Sequence, residues 1–361
     1  MLTEANKQWS TRLADERYET LSAMMKAVNS RRMKSRSENL NIGELQLSVS
    51  ENEGLVLNHK IQPSAPTHWA FGQLATSAGA PAGYLRTLEP ELAARCVNAS
   101  LARLPAEQAM KIMTVDAEGD GPNTLQAVTS ATYGRIWDAD VLGSVSRIVE
   151  QSNGKFFNPK DWSGKPSGLY ASDHDIFAFM IDGGSMVDGG GQRDQLNRGF
   201  IVWNSEVGSR TFGLMTFLFR VCCGNHLIHD ASDVTKLIVR HTSGGPARFD
   251  REAMPSLIEY VNASAAPLEA KIKTLKAMPL SALYDNGNVL NDEWMATVSK
   301  SRGFSRSELR LGIQFSKAEE GQCVCVWDLI NGLTASARSL EFMDARFDLE
   351  RRAGKLMELA S

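Results

Sequence analysis

The chain has 361 residues, 43% of them hydrophobic and 22% charged, with a net charge of −3. That composition reads as a globular protein with a large core, in one big domain or two, and excludes a wholly basic nucleic-acid coat while leaving room for a local basic groove. The five cysteines, Cys96, Cys222, Cys223, Cys323 and Cys325, do not form the spacing of a secreted disulfide framework, and no apolar signal core or run of about 18 apolar residues occurs. A cytoplasmic location with no membrane partner is the expectation.

In chain order, Tyr18, Leu21, Met24, Met25 and Val28 recur at helical spacing and run into a basic tail, "SRRMKSR", at 30–36. "GELQLSVS", "ENEG" and "LVLNHKI" predict a hairpin. Residues 66–104 are helical in pattern, broken at "AGAPAG". "KIMTVD" and "TLQAVTSATYG" read as a strand pair, and Asp138 or Asp140 is placed to cap a helix over 141–151. Four strands follow, at 175–182, 199–205, 211–221 and 236–241. Short polar connections join three of these segments and favour an antiparallel sheet. The glycine-rich stretch at 183–198 is expected to be a mobile connection.

From Asp250 onward the pattern turns helical, with Leu257, Ile258, Val261, Leu268, Ile272 and Leu275 in register. Ser305 and Glu308 have capping-box spacing. "VWDLINGLTASARS" is a further helix, with Gly332 its weak point. The expected fold is α+β: an antiparallel sheet core over residues 1–245 and a helical C-terminal region over 246–361.

The chemistry concentrates in "FIVWNSEVGSRTFGLMTFLFRVCCGNHLIHD", at 200–230. Cys222, Cys223, His226 and His229 offer zinc ligand types. Adjacent strand residues point to opposite faces, however, and no second C-x-x-C pair completes a site, so no metal is expected. Ser205, Cys222 or Cys223 as nucleophile, with His226 or His241 as base and Glu206 or Asp230 orienting it, lacks any nucleophile-elbow motif. "NSEVG" reads more simply as a turn in which Asn204 and Ser205 bond to local backbone and Gly208 takes a positive φ. "WSGKPS" lacks the first glycine of a phosphate loop. No cofactor and no catalytic residue are expected. Arg31, Arg32, Lys34 and Arg36 form a basic cluster, and Arg220, Arg240 and His241 approach one another if their strands pair. Trp203, Phe217, Phe219 and Tyr170 offer stacking surfaces wherever they are exposed. Basic tracks with aromatic platforms are what single-strand binders use.

The succession "YGRIWDADVL", "LYASDHDIFAFMID", "GFIVWNSEVGSRTFGL", "FRVCCGNHLI" and "VRHTSG" resembles the phage- and plasmid-like family known as domain of unknown function 932, over roughly residues 15 to 340. Asn204, Ser205, Glu206 and Gly208 match its polar knot, Cys223 and Asn225 its cysteine–x–asparagine corner, and Arg240 and His241 its arginine–histidine pair. His226 departs from the glycine that often follows the asparagine. The resemblance implies a mobile-element setting in a bacterial host cell and supplies no activity. The first functional expectation is a non-enzymatic protein acting on single-stranded DNA, in binding, annealing or support of recombination, as a homo-oligomer. The alternative is a binder that blocks a host defence or repair protein. The third is an enzyme of nucleic-acid or nucleotide metabolism. The knot, the Cys223–Asn225 turn and Arg240 or His241 are expected to share one site.

Overall fold

A computed structural model describes residues 16–51, 54–59, 62–117, 119, 121–152, 155–158, 168–188, 195–220, 225–228, 236–262, 266–285, 287–337, 339–340, 349–350 and 352–360. The first helix, α1 (Leu21–Lys34), starts at Thr20, whose side chain accepts from the Ala23 N–H. It runs through most of the basic stretch, and β1 (Ser35–Asn41) begins directly after it. The hairpin expected next is β2 (Gln46–Val49) with β3 (Leu55–Asn58). The short strand β4 (Ser64–Pro66) leads into α2 (His68–Ser77), α3 (Ala82–Leu85) and α4 (Pro90–Leu101). Strands β5 (Ala109–Val115) and β6 (Asn123–Ser130) complete a six-stranded sheet in the order β1-β5-β6-β4-β3-β2. All its pairs are antiparallel except β4 with β6. Leu47, Leu57, Leu74, Val97 and Leu125 pack α2 and α4 onto one face of it.

Helix α5 (Asp138–Gln151) leads to the second sheet. This holds β7 (Phe156–Phe157), β8 (Leu169–Ala171), β9 (Ile176–Asp188), β10 (Gln195–Asn204), β11 (Phe212–Arg220), β12 (Asn225–Ile228) and β13 (Lys236–Val239), and every pairing is antiparallel. The run "GFIVW" is continuous because both faces are buried. Phe200 and Val202 pack under α1, α5 and α6 (Gly245–Asn262), while Ile201 and Trp203 join Tyr170, Phe177 and Phe217 on the opposite face. Tyr170, Trp203 and Phe217 are therefore core, not stacking platforms; the side chain of Phe219 lies outside the described residues. The glycine-rich stretch is ladder rather than loop over much of its length. β9 continues to Asp188 and β10 resumes at Gln195, with pairing between them, because glycine removes side chains but not the N–H and C=O groups of a ladder.

The remaining helices are α7 (Ala266–Ala277), α8 (Asp292–Arg302), α9 (Arg306–Glu320) and α10 (Val326–Ala337). Their core gathers Ile272, Trp294, Leu309, Trp327 and Leu333, and reaches back to Leu196 of β10. Helix α6 instead packs Phe249, Ala253 and Leu257 on the second sheet, so the helical core begins with α7. The capping box forms as spaced: Glu308 N–H donates to Ser305 Oγ (3.1 Å) and Ser305 N–H to Glu308 Oε2 (2.6 Å). Gly332 is the reverse of a weak point. A Cβ there would lie 1.9 Å from the Gly312 carbonyl oxygen, so the missing side chain is what lets α9 and α10 touch. The fold is α+β, and no helix among the described residues is long and apolar enough to cross a membrane.

Candidate functional site

The two sheets meet at the turn between β10 and β11, residues 204–209. Gly208 has φ +87°, a conformation that admits glycine readily. Three successive carbonyls of this turn each accept from a side chain far away in sequence. Tyr133 Oη donates to Ser205 O (3.1 Å), Arg135 Nη1 donates to Glu206 O, and Gln73 Nε2 (2.7 Å) and Trp69 Nε1 (3.2 Å) donate to Val207 O. Gln73 also accepts the Val128 N–H (2.9 Å), which ties the turn to the first sheet. Ser205 is fully buried, and its hydroxyl donates to the His174 carbonyl (2.6 Å). That geometry locks the turn and keeps the Ser205 hydroxyl out of solvent.

Beneath the turn lies a buried charge cluster. Arg31 places Nη2 2.9 Å from Asp138 Oδ2 and Nε 3.1 Å from Glu206 Oε1, and donates Nη1 to the Ser172 carbonyl. Asn204 Nδ2 donates to Asp138 Oδ1 (2.8 Å) and to Ile136 O (2.9 Å). Asp138 does not cap α5. Trp137 is the N-cap, and the Asp138 N–H donates to Glu206 Oε2 (3.2 Å). Burial, then the neighbouring Glu206 carboxylate, pushes the Asp138 carboxyl well above the usual range, against the pull of Arg31 and Asn204. Burial also works against the Arg31 guanidinium, but Glu206 and Asp138 outweigh it and hold its pKa above the ordinary value.

The segment linking β6 to α5 explains the rest. Ile136 packs in the core of the second sheet and Asp138 lies in the charge cluster, whereas Tyr133, Arg135 and Trp137 lie against one another. The result is a column of rings and guanidiniums. His241 stacks on Tyr133 (5.0 Å between centroids, 10°), and Arg135 sits 5.3 Å from the Tyr133 ring and 5.5 Å from the Trp137 ring. Arg32 covers Trp137 at 3.8 Å. Burial pulls the His241 imidazole down to about 4, so it is neutral at neutral pH, and pushes the Tyr133 hydroxyl up. Lys111 donates to the Tyr133 carbonyl (2.6 Å); burial, then Arg135, lowers its pKa. At the His241 end a cleft of about 570 Å³ opens, lined by Tyr133, Gly208, Ser209, Arg210, Arg240 and His241. Arg240 is exposed, whereas Arg210 is paired with Asp175 (2.9 Å).

Several expected neighbours separate. The basic cluster is not one track: Arg31 is in the buried charge cluster, Arg32 is on Trp137, and Arg36 is at the first sheet's edge beside Asp116 (3.0 Å), with Lys34 just before β1. His241 does lie beside the 204–209 turn, but Asn225 does not. Trp203 pairs with Gly213, whereas Asn225 pairs with Arg220, seven residues further along β11 and roughly 23 Å away at about 3.3 Å per residue. The same register puts Arg220 at the far end of the sheet from Arg240, since Phe212 pairs with Val239. Cys222 and Cys223 lie outside the described residues, and among those described no group of three or more His, Cys, Asp or Glu is arranged to hold a metal ion. Sequence reasoning missed Trp69, Gln73, Tyr133 and Arg135. Only the alternation in "YGRIWDAD" signalled any of them.

Fold and site together define an α+β protein of two sheets, locked at a seam by a buried polar turn and flanked by a ring–guanidinium column. The chain belongs to the family described as Domain of unknown function (DUF932), whose model matches residues 126–338. The match takes in the turn, the column from Tyr133 to Trp137, and His241, and begins after Arg31, Arg32 and Trp69. No curated protein and no solved structure matches the chain.

Proposed function

We propose that the chain binds single-stranded nucleic acid, DNA in the first instance, without catalysing a reaction on it. The observation that carries this reading is the column His241–Tyr133–Arg135–Trp137–Arg32, in which two guanidiniums lie against three rings and which opens onto a cleft bearing Arg240. Single-strand binders pair a cationic track for phosphates with aromatic faces for bases. In this reading Arg32, Lys111 and Arg240 meet phosphates, and Arg31 keeps the seam closed. The setting in a phage, prophage or plasmid rests on the family resemblance alone, and assembly into a homo-oligomer is part of the same reading.

The test is fluorescence anisotropy of a labelled single-stranded oligonucleotide between about 50 and 200 mM salt, the range over which phosphate-driven affinity must fall. Replacing Arg32 and Arg240 with Gln should weaken binding and lower the slope of log affinity against log salt by up to about 0.7 per lost contact. Absence of wild-type binding at the low-salt end, or an unchanged slope in the variant, would overturn the reading and favour a protein partner instead. Sedimentation of the same samples reads the assembly state.

A further inference from the structure

The outer side of the 204–209 turn holds a second pair of rings that the column does not use. Trp69 projects from α2, and 37% of it is exposed, while its helix neighbours Ala70, Phe71 and Leu74 are buried. Its ring nitrogen donates to Val207 O (3.2 Å). His174, between β8 and β9, lies nearly parallel to it, with centroids 6.1 Å apart and 15° between planes. The His174 carbonyl is gripped by Ser205 Oγ (2.6 Å) and Ser209 Oγ (3.1 Å). One turn therefore orients two rings, each about one-third exposed, that come from different layers of the fold.

Beside them stands a carboxylate. Asp173 Oδ1 is 2.6 Å from His174 Nδ1, and half of the side chain is exposed. The hydrogen bond from His174 pulls the Asp173 carboxyl below its ordinary value, so it remains an acceptor at neutral pH. An anion here disfavours a phosphate and favours a donor. Cytosine, adenine and guanine each carry an exocyclic amino group that donates, and thymine carries none.

We propose that Trp69 and His174 form a stacking seat for one nucleobase and that Asp173 accepts from its exocyclic amino group. This rests on the proposed binding of a single strand and adds a base preference to it. A seat of this kind serves single-stranded, unstacked bases, whose faces and edges are both free.

The experiment compares oligo(dC) with oligo(dT) of equal length at one fixed low salt concentration. Wild type should bind oligo(dC) at least about fivefold more tightly, the lower end of what one good base-edge contact discriminates. Asp173→Ala should erase that preference and leave oligo(dT) affinity nearly unchanged. Trp69→Ala should weaken both oligonucleotides by at least about fivefold, the lower end for loss of one stacked base. Trp69→Phe, which keeps a ring, should restore most of that loss; thermal unfolding checks that each variant is folded. Salt-dependent binding with no base preference, or a folded Trp69→Ala that binds as well as wild type, overturns the seat while the single-strand reading stands. Absence of any binding overturns both.

Discussion

The seam between the sheets and the helical C-terminal region solve the same problem, close approach of two elements, with opposite chemistry. Between α9 and α10 contact is made by removing atoms: Gly332 and Gly312 bring the helix backbones together inside a core of Trp294, Leu309, Trp327 and Leu333. At the seam it is made by adding long polar side chains that reach three consecutive carbonyls and bracket two buried carboxylates with Arg31. Apolar contact tolerates small shifts in partner position, whereas a buried ion cluster does not, because each unpaired charge keeps its full desolvation cost. The seam is thus the more exacting of the two regions, and its turn holds Tyr133, Trp69 and the His174 carbonyl of the candidate interface.

The largest effect should come from opening the seam. Arg31→Gln leaves Asp138 and Glu206 facing one another while buried, and should cost about 3–5 kcal/mol near pH 7 in urea unfolding. The Asp138 carboxyl already has a raised pKa in the folded protein, so folding favours its protonated form. Lowering the pH protonates it and removes one of the opposed charges. The deficit of the variant relative to wild type should therefore shrink as pH falls toward 5, and Asp138→Asn in the same chain should shrink it at pH 7. A deficit independent of pH would show that the charges are not what the seam depends on.

A smaller cost is expected from the apolar region. Gly332→Ala places a Cβ against the Gly312 backbone and should cost about 1–3 kcal/mol by overpacking, with no pH dependence. An equal pH response in both variants would break the comparison. The smallest effect should follow Ser305→Ala, which removes a cap at the start of α9 and should cost about 1 kcal/mol in denaturant midpoint. It should leave oligonucleotide binding unchanged, since α9 lies away from the seam; loss of binding would tie the two regions together.

These differences also govern what could be read from sequence. The cap at Ser305 and Glu308 involves residues three apart, so spacing alone shows it. The strands of the second sheet show through their apolar runs, and α1 through its helical register. The partners of Arg31 lie 107 residues away at Asp138 and further still at Glu206, and nothing local marks them. A run of four nearby cations therefore looked like one charged surface, when the fold distributes it among a core, a ring and a sheet edge. Likewise, similar polar corners looked like one site, until strand register put Asn225 at the opposite end of β11 from the 204–209 turn. Trp69 stands beside Ala70 and Phe71 in the same helix, and only the packing of the other layer shows that it faces outward.

The long reach of Arg31 has a bearing on synthesis. A chain that emerges at about 5–20 residues per second separates Arg31 from Asp138, 107 residues later, by roughly 5–20 s. The turn bearing Glu206 comes later again. By the end of that interval the hairpin, helices and strands of the first sheet have been made, while the guanidinium that will join it to the second sheet still lacks Asp138 and Glu206. The two sheets are therefore made in sequence but locked together only after β10 has left the ribosome, which makes closure of the seam a late event in the maturation of the nascent chain.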